Sequence, residues 1–127
     1  MMMTSLLCLA QAVYFEARGE NYMGQMAVAQ VVVNRMHDDR YPDTICGVVW
    51  ERKAFSFTHD GKSDRMKHSE SRSKALQVAK ATLDGEGLGI TSTHYHTVSV
   101  SPYWAKHYQL DGRVDNHYFY TNDTPYK

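Results

Sequence analysis

Apolar residues in the first third of the chain recur at helical spacing. Leu6, Leu9, Val13 and Ala17 stand three and four positions apart, with Ala10 and Ala12 beside them, which predicts a helix over residues 5–18. Gly19 is a natural stop after it, and Asn21 a natural cap for a second helix from about Tyr22 to Met36. That second segment, MGQMAVAQVVVNRM, is nearly continuous in apolar residues and reads as a helix buried on most sides.

Beyond Pro42 the pattern shortens. DTICGVVW reads as a short helix with Asp43 as its cap, and AFSFTHDGKSDRM, which mixes aromatics with a D-G turn, reads as strand and loop. SESRSKALQVAKATLDGEG is amphipathic: Ser69 or Ser71 caps it, Leu76, Ala79 and Leu83 form its stripe, and Gly85 ends it. STHYHTVSV alternates in strand fashion up to Pro102, and DNHYFYTN reads as a last aromatic strand. No repeat, low-complexity tract or Pro-rich linker divides the chain. Helices first and short strands later predict a single α+β domain, mainly helical, with a small strand region.

Composition narrows the partners. At 127 residues and 43% hydrophobic the chain has the size and content for one ordinary core. Fourteen basic residues balance fourteen acidic ones, which argues against an electrostatic grip on nucleic acid and leaves a neutral or mixed-charge polymer such as a polysaccharide. Apolar runs such as AVAQVVV fall short of the roughly 20 residues a membrane span needs, so no span is expected. The N-terminus lacks the basic n-region of a signal peptide, which leaves a cytosolic protein, one exported by other means, or a mature fragment. Cys8 and Cys46 fit either two buried thiols or one disulfide.

The chemistry concentrates first in YFEARGEN. On the predicted helix Glu16 lies four beyond Ala12 and three beyond Val13, on or beside the apolar face and near the C-terminal end. The helix dipole and the apolar neighbours both disfavour its charged form there, which suits a general acid. The plainer alternative is an exposed glutamate paired with Arg18 or another cation. Glu20, after Gly19, is either its partner or a first-turn residue of the second helix. His94 and His96 share a strand face, and with His117 and His59-Asp60 they invite a metal site. No H-E-x-x-H or comparable spacing exists, so these histidines read as packed or groove-lining and no metal or cofactor is expected. Tyr95, Tyr103, Trp104, Tyr108, Tyr118, Phe119 and Tyr120 crowd one region; some must be core, and others have the flat faces and polar tips that stack on sugar rings.

The string CLAQAVYFEARGENYMGQMAVAQVVVNRM, followed by YPDTICGVVW, FSFTHDGKSDRM, THYHTVSVSPYW and NHYFYTND, closely resembles the SleB-type cell wall hydrolase family, the spore cortex-lytic enzymes and their bacterial and phage relatives. The resemblance implies a lysozyme-like catalytic domain over residues 4–123 that cleaves peptidoglycan between N-acetylmuramic acid and N-acetylglucosamine. It matches Glu16 to the catalytic acid, and it implies that Glu20, Phe57, Tyr95, His96, Trp104, His117 and Tyr120 line or support the groove. It pairs Cys8 with Cys46, while Ala54 and His59 stand where relatives often carry further cysteines. It favours a lytic transglycosylase, which needs one carboxylate, over a hydrolytic muramidase, for which Glu20 or the remote Asp60 would be the second. A metal-dependent amidase using His94, His96 and His117, and a non-catalytic wall-binding module, are the other readings. The implied partner is the peptidoglycan glycan strand, met by a monomer acting at the wall as a phage lysis protein or as a domain excised from a longer one.

Overall fold

The computed structural model describes residues 3–52 and 54–122. The expected domain end at Asp123 lies outside the described residues. Helix α1 (Ser5–Ala17) starts on Thr4, whose hydroxyl accepts from the Leu7 N–H at 3.1 Å. It is buried almost all round: Cys8, Leu9, Ala10, Gln11, Ala12, Val13, Tyr14 and Ala17 lie inside. Helix α2 (Tyr22–Met36) starts on Asn21, whose Oδ1 accepts from Gly24 N–H at 2.8 Å, and it buries Met26, Ala27, Val28, Ala29, Val31 and Val32. Helices α3 (Ile45–Val49) and α4 (Ser69–Ala81) pack on α1 and close the main core.

Cys8 of α1 and Cys46 of α3 form a disulfide, with Cα atoms 5.3 Å apart and 38 positions between them in sequence. Closing a loop of that length removes about 4 kcal/mol of unfolded-chain entropy in the loop-entropy treatment.

Three strands complete the domain: β1 (His94–Thr97), β2 (Gln109–Val114) and β3 (His117–Thr121), antiparallel in the order β1-β3-β2. Tyr95 pairs with Phe119, and His96 with Tyr118. Because side chains alternate, Tyr95, His117 and Phe119 face the helices, while His94, His96, Tyr118 and Tyr120 face outward. Phe119 seats the sheet on Ala17, Ala27, Val28 and Val31. Three bonds from α2 hold the chain entering β1: Asn34 Nδ2 donates to the carbonyls of Ile90 and Ser92 at 2.9 and 2.8 Å, and Arg35 Nε to that of Thr93 at 2.7 Å.

The expected mainly helical α+β architecture is present, with local differences. The F-S-F segment is a single 3₁₀ turn, Ser56–Thr58, and not a strand. Phe55 and Phe57 alternate because both rings drop into the helical core, at 3% and 4% exposure, with no strand beside them. The cap of α3 is Thr44, whose hydroxyl accepts from Gly47 N–H, and not Asp43. On α4 the buried stripe is Ala75, Val78 and Ala79; Leu83 is 38% exposed and lies in a π turn (Thr82–Glu86) after the helix. A 3₁₀ turn covers Tyr103–Lys106, and strand β2 falls where no strand pattern is visible.

Candidate active site

Glu16 sits in the last turn of α1, on a helix that the core fixes on most sides. Tyr95, from the helix-facing side of β1, donates its hydroxyl to Glu16 Oε1 at 2.7 Å. The Tyr95 ring is wedged between His117, edge-on at 5.2 Å, and Phe119 at 5.7 Å. Burial first, and then the neighbouring Glu16 carboxyl, push the Tyr95 phenol well above its usual range. It therefore stays a protonated donor at any ordinary pH. Oε1 is thus held, and no hydrogen bond engages Oε2 among the described residues.

Arg18 does not pair with Glu16. Its Nη1 donates to Tyr14 Oη at 2.7 Å, and its guanidinium lies over the Tyr14 ring, 4.6 Å from the centroid. The same Tyr14 oxygen accepts from the His68 N–H at 3.0 Å, which ties the segment before α4 to α1. Among the described residues Glu16 has no ion-pair partner.

Glu20 is committed elsewhere. Its Oε1 accepts from Asn116 N–H at 3.1 Å and meets His117 Nδ1 at 2.6 Å, while Oε2 accepts from Asn116 Nδ2 at 3.0 Å. The Glu20 and His117 side chains are only 8% and 5% exposed. Asp115 Oδ2 in turn accepts from the Asn21 N–H at 2.7 Å. Asp115 (φ +49°) and Asn116 form the two-residue tip of the β2–β3 hairpin, a place where Asp and Asn tolerate left-handed backbone. The G-E-N turn and the hairpin tip thus clasp each other. Gly24 lets them meet, since a Cβ there would stand 2.9 Å from Glu20 Cβ and 3.2 Å from Asp115 Cβ.

The structure divides the expected groove residues. Tyr95 joins Glu16, and His117 joins Glu20, on the inner side of the sheet. Phe57 lies in the core, stacked on Phe15 at 4.9 Å and edge-on to Trp50 at 5.7 Å. His96, Trp104 and Tyr120 form a separate cluster on the outer side. His96 Nδ1 lies 2.8 Å from Thr97 O and must donate there, so in neutral imidazole Nε2 accepts from the Tyr120 hydroxyl, also at 2.8 Å. Trp104 stacks on Tyr108 at 5.3 Å and stands edge-on to Tyr120 at 5.2 Å. The sheet itself therefore separates Trp104, His96 and Tyr120 from the Glu16 carboxyl.

The three histidines of the amidase reading do not converge, because His117 faces the helices and His94 and His96 face away. His94 is packed against Trp104 and Tyr108, and burial, then Arg35 and Arg40, lower its pKa to about 4. No cluster of three metal-type ligands occurs among the described residues. Two contributors escaped sequence reasoning. Asn34 and Arg35 set the strand that carries Tyr95, and Asp115-Asn116 clasps the motif. The N-R pair and the D-N pair between strand-like segments were the visible signals.

Comparison with known proteins agrees with this architecture. The cell wall hydrolase family profile matches residues 19–120, a span that begins just after Glu16. The spore cortex-lytic enzyme of Halalkalibacterium halodurans is 39% identical over 87 residues, 68% of this chain and 25% of that protein. The Bacillus subtilis spore cortex-lytic enzyme is 43% identical over 70 residues, 55% of this chain and 23% of that one. The chain thus spans about a quarter of the length of these relatives. The crystal structure of the Bacillus cereus SleB catalytic domain superposes with a TM-score of 0.74 at 27% identity, covering 92% of this chain and 89% of that one. The catalytic domain of the germination-specific lytic transglycosylase SleB from Bacillus anthracis gives 0.77 at 26%, covering 95% and 97%. With its fold shared along nearly the whole length and the profile matched over residues 19–120, the chain belongs to the cell wall hydrolase family.

Proposed function

We propose that the chain cleaves peptidoglycan glycan strands between N-acetylmuramic acid and N-acetylglucosamine, as a lytic transglycosylase with Glu16 as its single acid and base. The observation that carries this reading is the contrast between the two glutamates of E-A-R-G-E. Glu16 is held by one oxygen and keeps the other open. Glu20, the nearest second carboxylate in sequence, has both oxygens engaged by the hairpin. A hydrolase of the two-carboxylate type needs a second free carboxyl across the scissile bond.

Glu16 Oε2 would donate its proton to the glycosidic oxygen as the bond to the muramic carbon breaks and positive charge spreads onto that carbon and its ring oxygen. The carboxylate left behind would then take the proton of the muramic 6-hydroxyl, whose oxygen closes on the same carbon as an anhydro ring. Tyr95 would keep the carboxyl aimed through both halves of the reaction, donating whichever way the proton moves. The structurally similar Bacillus anthracis domain is that of a germination-specific lytic transglycosylase, which supports the same choice.

Mass spectrometry of fragments released from purified peptidoglycan tests this reading. Anhydromuramic ends are expected. Reducing ends at muramic acid would mean hydrolysis by an activated water, and released peptide with intact glycan would mean an amidase.

A further inference from the structure

We propose that a basic hollow beside α1, away from Glu16, holds the acidic peptide that peptidoglycan carries on its muramic acid; this rests on the wall-cleaving reading above. The hollow is about 340 Å³, and Gln11, Asp64, Arg65, Lys67 and Arg72 contribute to its lining. Leu7 and Met66 supply an apolar wall.

Gln11 carries the argument. It is 7% exposed, and its Oε1 is buried without a hydrogen-bond partner, the only such side-chain atom among the described residues. A buried acceptor left unpaired is unfavourable, and the other buried residues of α1 are apolar save Tyr14, whose hydroxyl is paired. Gln11 borders the hollow, and a turn of its amide would offer the orphaned Oε1 to a peptide N–H and Nε2 to a peptide carbonyl.

Charge supplies the second line. Arg65, Lys67 and Arg72 bring three cations to the rim against the one carboxylate of Asp64, and none of the three is in an ion pair among the described residues. An otherwise neutral chain thus concentrates unpaired positive charge around one orphaned amide. A ligand with carboxylates and amide bonds in alternation satisfies both features, and a neutral sugar satisfies neither.

The position suits an appendage of the glycan and not the scissile bond. Gln11 and Glu16 are five residues apart on α1, about 7.5 Å along the axis and roughly 140° around it. Four extended peptide residues reach about 13 Å, and with the lactyl link that joins them to the muramic ring they match the roughly 15 Å path from Glu16 round the helix. The Tyr14–His68 bond holds the end of the 64–68 segment, which lines the hollow, against α1.

Titration calorimetry of the free stem tetrapeptide against the intact chain tests the proposal, with the same peptide amidated at its carboxylates as the control. The acid form should bind, and the amidated form should bind at least about tenfold more weakly. Replacing Arg65, Lys67 and Arg72 together by Gln should weaken the acid form by a similar factor, and Gln11→Leu should weaken it severalfold, with the fold checked by circular dichroism. Both variants should cleave glycan stripped of peptide at the rate of the unaltered chain while showing a raised KM on peptide-bearing strands. Equal binding of acid and amidated peptide, or displacement of the peptide by an equal concentration of inorganic phosphate, would overturn the proposal. So would the absence of any peptide signal on a chain that cleaves stripped glycan, an outcome that leaves the role of Glu16 standing.

Discussion

The Tyr95 hydroxyl donates to Glu16 Oε1 at 2.7 Å, joining a strand to a helix across 79 positions of sequence. The bond makes the carboxyl's direction a property of the whole fold. Its geometry depends on α1 being fixed by the core and on β1 being fixed by α2.

Glu16→Gln keeps the shape of the side chain and removes the transferable proton. General acid catalysis contributes on the order of 10²–10⁴-fold, so wall-clearing activity should drop at least about a hundredfold. Thermal unfolding should be nearly unchanged, because the amide carbonyl still accepts from Tyr95. A folded variant of normal activity would remove the proposed mechanism.

Tyr95→Phe keeps the ring contacts with His117 and Phe119 and deletes only the hydroxyl. Loss of one bond to a carboxyl corresponds to about 1.5–3 kcal/mol, and kcat should fall about tenfold or more, with KM less affected. Ultraviolet titration of the intact protein should also show one tyrosine that resists ionisation further than Tyr41 and Tyr120, whose phenols burial also raises, and that tyrosine should be missing in the variant. If Tyr95→Phe is fully active, Glu16 does not depend on it.

Glu20→Gln tests whether the second glutamate is structural. The amide cannot accept from His117 and Asn116 on both sides, so a loss of about 2 kcal/mol in stability is expected. Activity per folded molecule should stay within a few fold. A collapse of activity in a well-folded variant would instead make Glu20 a second working carboxylate and favour hydrolysis.

His94 gives a pH signature. Burial, then Arg35 and Arg40, hold its folded pKa near 4, against an ordinary value of 6.5. The unfolded chain therefore binds the proton more readily. This contribution to stability is complete above about pH 6.5 and is lost as pH falls toward 4. Allowing for solvent at its open side, about 1–2 kcal/mol is at stake. Urea unfolding at pH 7 and pH 4.5 should show that difference shrinking in His94→Phe; an identical difference in both proteins would refute the assignment.

Strong periodicity was legible and weak periodicity was not. The first two helices follow from Leu6, Leu9, Val13 and the apolar run of α2, because burial on most sides leaves a dense pattern. Strand β2 is an edge strand: Leu110 is 55% exposed, Gly112 has φ +152°, and a bulge interrupts the register, so it has no alternation to read. Glu16 stood out because a carboxylate interrupts a buried face. The split between Tyr95 and Trp104 did not, since it depends on which face of β1 meets the helices, and only the three-dimensional pairing with Phe119 decides that.

That pairing makes chain length itself a constrained quantity. Strand β1 has four residues, and a slip of one against β3 would carry Tyr95 to the outer face and set a histidine opposite Glu16. Asn34 and Arg35 grip the backbone from Ile90 to Thr93, so one residue inserted or deleted there should silence the site even if every side chain is kept. The exposed stretch from Val98 to Ser101 has no such grip from α2 among the described residues, so a residue added or removed there should leave Glu16 and Tyr95 in place.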